Sequence, residues 1–98
     1  MKTIIEGLNK NFENRVRLGI MSALMVNERL DFNALKDLLG VTDGNLASHL
    51  KALEKNQLIE VTKQFVGRKP NTTYGVTDFG SESFKKHLSA LEKLLGGL

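Results

Sequence analysis

The sequence predicts a mainly α domain that carries one small β-hairpin, an α+β fold. Three observations lead there. Two short helices, each with its own start signal, are separated by a tight turn around Gly40 and Val41. After Gln57 the apolar period changes from helical to strand-like. Past Thr77 the helical period returns and holds to the end of the chain. With 98 residues, 41% of them hydrophobic, there is material for a single domain over residues 1–98 and not for two.

From Leu8 to Val26 the pattern is helical: Phe12, Val16, Ile20, Ala23 and Leu24 recur at steps of three and four. A second apolar set, Leu18, Met21 and Met25, lies on another side. Two apolar faces mean burial from both sides, which a deep core position or a partner subunit would each provide. Asn27-Glu28-Arg29 breaks the pattern, and Leu30 reads as a very short strand.

Asp31 is the expected N-cap of a helix over Phe32 to Leu39, with Leu30 and Leu35 as a hydrophobic staple across it. Gly40 suits the left-handed position that ends such a helix. The same grammar then repeats, with Val41 as staple residue, Thr42 as N-cap and Leu46 as staple partner. Two capped helices around so tight a turn are the signature of a helix-turn-helix, at about residues 31–56. Plotted at about 100° per residue, Leu46, Leu50 and Leu53 form the buried stripe of the second helix. Gly44, Ser48, Lys51 and Lys55 lie opposite, flanked by Asn45 and Ala52. Small side chains at Gly44, Ser48 and Ala52 let another surface come close. Asn45 and Ser48 offer donors and acceptors, as base edges require, and Lys51 and Lys55 reach phosphates. The alternative is an ordinary solvated helix face.

Ile59, Val61 and Phe65 then fall on one side of a strand, with Glu60, Thr62 and Gln64 on the other. Lys63 interrupts the apolar side, as expected if the hairpin runs beyond the core. The loop Gly67-Arg68-Lys69-Pro70-Asn71 carries two adjacent cations, and Thr72 to Val76 returns with Tyr74 and Val76 facing inward. The hairpin occupies about residues 58–77. Its basic tip is either a plain exposed turn or a contact to a nucleic-acid backbone or minor groove.

Thr77 is the N-cap and Asp78 the dipole partner of a last helix at about residues 78–96. Phe84, Leu88, Leu91, Leu95 and Leu98 step by four and three, a seam of the kind used in helix pairing. The stripe reaches the last residue, which favours a homodimer contact over packing on the chain's own core. Gly96-Gly97 frays that end and weakens the case for Leu98. Leu8, Phe12, Phe84, Leu88, Leu91 and Leu95 are the candidate interface residues.

Several classes of chemistry are excluded. No cysteine is present, so there are no disulfides, thiolate metal sites or cysteine nucleophiles. No apolar run approaches bilayer length, and Met1 to Gly7 lacks the hydrophobic region and cleavage site of a signal peptide. No membrane role is expected, and a cytoplasmic location is. His49 and His87, the only histidines, are far apart and match no metal-ligand spacing. His49 lies at the edge of the buried stripe, where it packs and touches phosphate. Asp78-Phe79-Gly80 matches three letters of a kinase magnesium motif by chance, since the other kinase motifs are missing. No nucleophile elbow or phosphate-cradling glycine loop occurs. The expectation is no enzyme, no cofactor and no metal. The mild net charge of +3 permits a nucleic-acid partner without demanding one.

The order helix, helix-turn-helix, two-stranded wing, long final helix is that of the winged-helix regulators. The stretch from about Arg15 to Gly80 resembles small stand-alone winged-helix DNA-binding proteins related to the MarR and ArsR repressors. The matching pieces are Arg15-Val16-Arg17-Leu18 with Ile20 and Leu24, Phe32-Asn33-Ala34-Leu35, and Thr42-Asp43-Gly44-Asn45-Leu46 with His49-Leu50. They continue with Phe65-Val66-Gly67-Arg68, Pro70-Asn71-Thr72-Thr73, and Thr77-Asp78 with Gly80. The resemblance implies transcriptional regulation through a symmetric dimer whose outer helices form the interface. Where members commonly carry a basic residue after the last of these glycines, this chain has Ser81. The thiolate metal-sensing sites of many ArsR repressors have no counterpart. The resemblance carries DNA binding but no small-molecule effector.

The expectation is therefore a homodimer on double-stranded DNA, with the helix from Asp43 to Lys55 in the major groove and half-sites about 34 Å apart or a multiple of it. Asn45 and Ser48 are the candidates for base edges, and Thr42, His49, Lys51 and Lys55 for the backbone. Asp43 and Gly44 lie at the contacting end of the helix, and Arg68, Lys69, Asn71 and Thr72 complete the set from the wing. The main rival is a winged-helix protein-interaction module. Single-stranded or structured RNA ranks lower, because Phe65 and Tyr74 are both expected to face inward instead of stacking bases.

Overall fold

The computed structural model describes residues 3–96. Within them, a single 3₁₀ turn, Lys10–Phe12, precedes α1 (Arg15–Val26). The chain then runs β1 (Leu30–Asp31), α2 (Phe32–Leu39), α3 (Asp43–Lys55), β2 (Ile59–Val66), β3 (Lys69–Val76) and α4 (Asp78–Leu94). The sheet is antiparallel in the order β1-β3-β2, with Leu30 opposite Tyr74 and Ile59 opposite Val76. This is a winged helix.

The caps sit where local sequence places them. Asp31 accepts from the Ala34 N–H at 2.8 Å, Thr42 from Asn45 at 3.2 Å, and Thr77 from Gly80 at 2.8 Å. Gly40 takes the left-handed conformation at the end of α2. Thr77 also donates its hydroxyl to the Gln57 carbonyl at 2.7 Å, tying the start of α4 to the end of α3.

The helix expected over Leu8 to Val26 is in two pieces. Asn9 caps the 3₁₀ turn by accepting from Asn11 at 2.9 Å, and Asn14 restarts the chain by accepting from Val16 at 2.9 Å and Arg17 at 3.1 Å. These short polar side chains offer the backbone a bond that competes with a continuous helix. The apolar spacing survives the break, since Phe12 and Val16 are both buried. The two apolar faces of α1 are a deep core position: Met21 is fully buried, and Leu18 and Met25 pack against the same cluster as Ile20 and Leu24.

That cluster also corrects part of the expected dimer seam. Phe12 and Phe84 are only 1% and 2% exposed. Their rings meet edge to face at 5.1 Å, with His87 as third member at 5.4 Å from Phe12. Both phenylalanines therefore belong to the chain's own core, because the 3₁₀ turn folds Phe12 back onto α4. Leu8 and Leu91 are half-buried, while Leu88 and Leu95 stay exposed at 43% and 63%. Leu98 lies outside the described residues.

The hairpin differs from expectation at its tip. Pairing runs on to Val66 opposite Lys69, so the turn is Gly67-Arg68 alone and Lys69, Pro70 and Asn71 belong to β3. Gly67 has φ of 66°, the first-position requirement of a tight two-residue turn. Pro70 is tolerated because β1 pairs with β3 only at Thr73 and Tyr74, leaving that edge free where a proline lacks its donor. Phe65, expected to face inward, is 73% exposed, because the helices end before the hairpin does. Tyr74 and Val76 do pack against the core.

Candidate nucleic-acid interface

The candidate face is built on α3. Leu46, Leu50 and Leu53 are buried and fix the helix against α1. Thr42, Asp43, Gly44, Asn45, Ser48, Lys51 and Lys55 are all exposed along the outer side. A Cβ added at Gly44 would meet nothing within 4 Å, so the first turn is open to close approach. Hydrogen-bonding groups and two cations thus lie on one uncovered face, backed by leucines.

Two interactions hold α3 from the sides. Lys36 of α2 pairs with Asp43 at 2.7 Å. The carboxylate hydrogen bond and charge raise the Lys36 pKa above its ordinary value. Asp43, grouped with the DNA contacts on sequence grounds, is engaged by this lysine and by the positive end of its own helix. A free carboxylate there would repel phosphate, and the ion pair offsets that repulsion.

On the other flank, Arg17 of α1 donates its Nε–H to Nδ1 of His49 at 2.9 Å. Burial first, and the Arg17 charge second, push the His49 pKa below its usual value. With Nδ1 accepting, the neutral ring keeps its proton on Nε2. His49 therefore presents an N–H donor and no charge, while Arg17 brings the cation. Sequence reasoning missed Arg17 as part of this site. The pair is separated by 32 residues, and no local signal joins them.

The wing adds a second positive arm. Arg68 and Lys69 are exposed at and beside the turn, and Asn71 and Thr72 are half-buried in β3. Between α3 and the hairpin lies a hollow of about 450 Å³, lined by Ala47, Lys51 and Glu54 on one wall and Val61, Lys63, Thr72 and Tyr74 on the other. Lys51 and Lys63 face each other's side of this hollow, a pairing the sequence had marked only as an interruption of the apolar pattern. Burial, then the Glu54 charge, raises the Tyr74 pKa. Among the described residues no group of histidines and carboxylates is placed to hold a metal, and no helix is long and apolar enough to cross a membrane.

Known proteins share this fold. The sequence profile described as "Winged helix DNA-binding domain" matches residues 16–95. Protein MJ0432 of Methanocaldococcus jannaschii is 35% identical over 85 residues, covering 87% of this chain and 92% of its own. The structure of a transcriptional regulator homologue from Pyrococcus horikoshii superposes with a TM-score of 0.84 at 36% identity, over 96% of this chain and 91% of that one. A structure described as a MarR-family transcriptional regulator from Enterococcus faecalis gives a TM-score of 0.69 at 24% identity, over 90% and 74% of the two chains. That last likeness is one of fold.

Proposed function

The chain belongs to the winged-helix DNA-binding domain family, and from that premise we propose that it is a sequence-specific regulator of transcription, not an enzyme, that binds double-stranded DNA in the cytoplasm as a homodimer. The observation that carries this reading is the outer face of α3. Asn45, Ser48, Lys51 and Lys55 are exposed together, Gly44 leaves room for close approach, and nothing of the described chain covers them. The similarity to the Pyrococcus horikoshii regulator homologue supports the same role.

In this mechanism α3 lies in the major groove. Asn45 and Ser48 meet base edges, where each good bidentate contact discriminates by about 1–3 kcal/mol. Thr42, the Nε2–H of His49, Lys51 and Lys55 hold the backbone on either side. Arg68 and Lys69 reach the next phosphates or the minor groove, and Asn71 and Thr72 supply hydrogen bonds along the hairpin. Leu88 and Leu91 of α4, with Leu95 at its C-cap and Leu8, bring two subunits together. Two copies of α3 then meet two half-sites about one helical turn, or a multiple of it, apart.

The test is selection of bound sequences from a random duplex pool, followed by mobility-shift titration at two salt concentrations. The expected outcome is a near-palindromic site whose affinity falls steeply with salt. Failure to retain any duplex, with capture of a protein partner instead, would replace this reading with that of a protein-interaction module.

A further inference from the structure

We infer that Phe65 is a DNA contact of the wing, an apolar wedge that meets sugars and base edges in the minor groove between phosphates held by the neighbouring cations. The inference rests on the duplex-binding reading above and adds to it a residue that carries no charge.

Phe65 is 73% exposed and Val66 is 61% exposed, at the very end of a hairpin. A phenyl ring there adds nothing to this chain's core. Its side is fixed by strand alternation. Val61 and Lys63 line the hollow facing α3, so Phe65, two residues further, continues that same face beyond the body of the domain and on the side of the reading helix. Its cross-strand neighbour is Pro70, which has no backbone donor. The pair makes the α3 side of the tip apolar.

The surroundings select the partner. From Val61 to Thr77 the chain contains Lys63, Arg68 and Lys69 and no acidic residue. An apolar tip whose only charged neighbours along this stretch of the hairpin are cations fits a polyanion with an apolar interior better than an apolar protein surface. The minor groove is such a place: its walls are phosphates and sugars, and phenylalanine and proline wedges are accepted there between base steps. The other exposed apolar residues that would serve a subunit contact lie elsewhere, Leu88 on α4 and Leu95 at its C-cap.

The experiment measures affinity for the selected duplex over a range of salt, using wild type, Phe65→Ala, Phe65→Leu and Arg68→Ala, each checked for an unchanged thermal melt. Phe65→Ala is expected to weaken binding about tenfold, in keeping with loss of one aromatic contact, while leaving the log–log salt slope unchanged. Arg68→Ala is expected to make that slope shallower by about 0.9, since it frees a phosphate. Phe65→Leu, which keeps an apolar wedge, retains most of the affinity. A 2-aminopurine placed under the wing brightens with wild type and not with Phe65→Ala. Equal duplex binding by wild type and Phe65→Ala at every salt overturns the inference alone. A loss of affinity confined to single-stranded RNA also overturns it. A wild type that binds no duplex removes the underlying reading first and this inference with it.

Discussion

Arg17 and His49 join α1 to α3 through a hydrogen bond of 2.9 Å, and its direction makes the imidazole an acceptor. The bond ties α1 to α3 and leaves a cation on the flank of α3. Arg17→Leu removes both. Stability should fall by about 0.5–1.5 kcal/mol, as for loss of one hydrogen bond, and the His49 pKa should rise part of the way toward its ordinary value, because burial, the larger cause of its depression, remains while the Arg17 charge is gone. Chemical denaturation and an NMR titration of the imidazole check the two effects.

His87 gives the fold a dependence on pH. Its Nδ1 accepts the Asn9 N–H at 3.0 Å, and burial among Phe12 and Phe84 lowers its pKa, opposed more weakly by Glu13. The folded chain therefore binds this proton less readily than the unfolded chain, whose histidine titrates at about 6.5. The resulting stability is fully present above that pH and is lost as pH falls toward the lower folded value. His49 contributes with the same sign. Urea midpoints should drop between pH 7.5 and 5.5, and His87→Phe should flatten the drop to the share left by His49.

Gly80 has the least room of the described glycines. A Cβ added there would lie 1.9 Å from the Leu58 carbonyl oxygen, a backbone atom that cannot swing away. Gly80→Ala must push α4 off the start of β2. The expected cost is about 1–3 kcal/mol or more, read as a lowered melting temperature, with no change in the residues of the reading face.

Leu88 tests the subunit contact. It is exposed on α4, away from the Phe12–Phe84 core. Leu88→Asp should leave the monomer folded and shift sedimentation from dimer to monomer. Affinity for the full near-palindrome should fall at least tenfold, while that for an isolated half-site changes little. A variant that stays dimeric moves the interface elsewhere.

The features legible in the sequence are those that residues a few positions apart decide together. Asp31, Gly40, Thr42 and Thr77 act within four residues of themselves, so both helices of the helix-turn-helix and the start of α4 could be read directly. The outward placement of Asn45, Ser48, Lys51 and Lys55 followed from the opposing leucines. Features decided by distant partners were not legible. Asn9 and His87 are 78 residues apart, and Arg17 and His49 are 32 apart. Phe65 kept its strand phase but lost its cover, because alternation gives the side of a residue and not where the neighbouring helices stop. Asn14 split a pattern whose apolar spacing was otherwise intact, since spacing is blind to a side chain that caps its own backbone.

The central claim is that the outer face of α3 touches nucleobases, and amide chemical shifts of the labelled protein titrated with its selected duplex test it most directly. The expected result is displacement of Asn45, Ser48 and their neighbours on α3, together with Gly67 and Lys69 of the wing, while α4 stays unmoved. Perturbation confined to α4, with α3 silent, would contradict it.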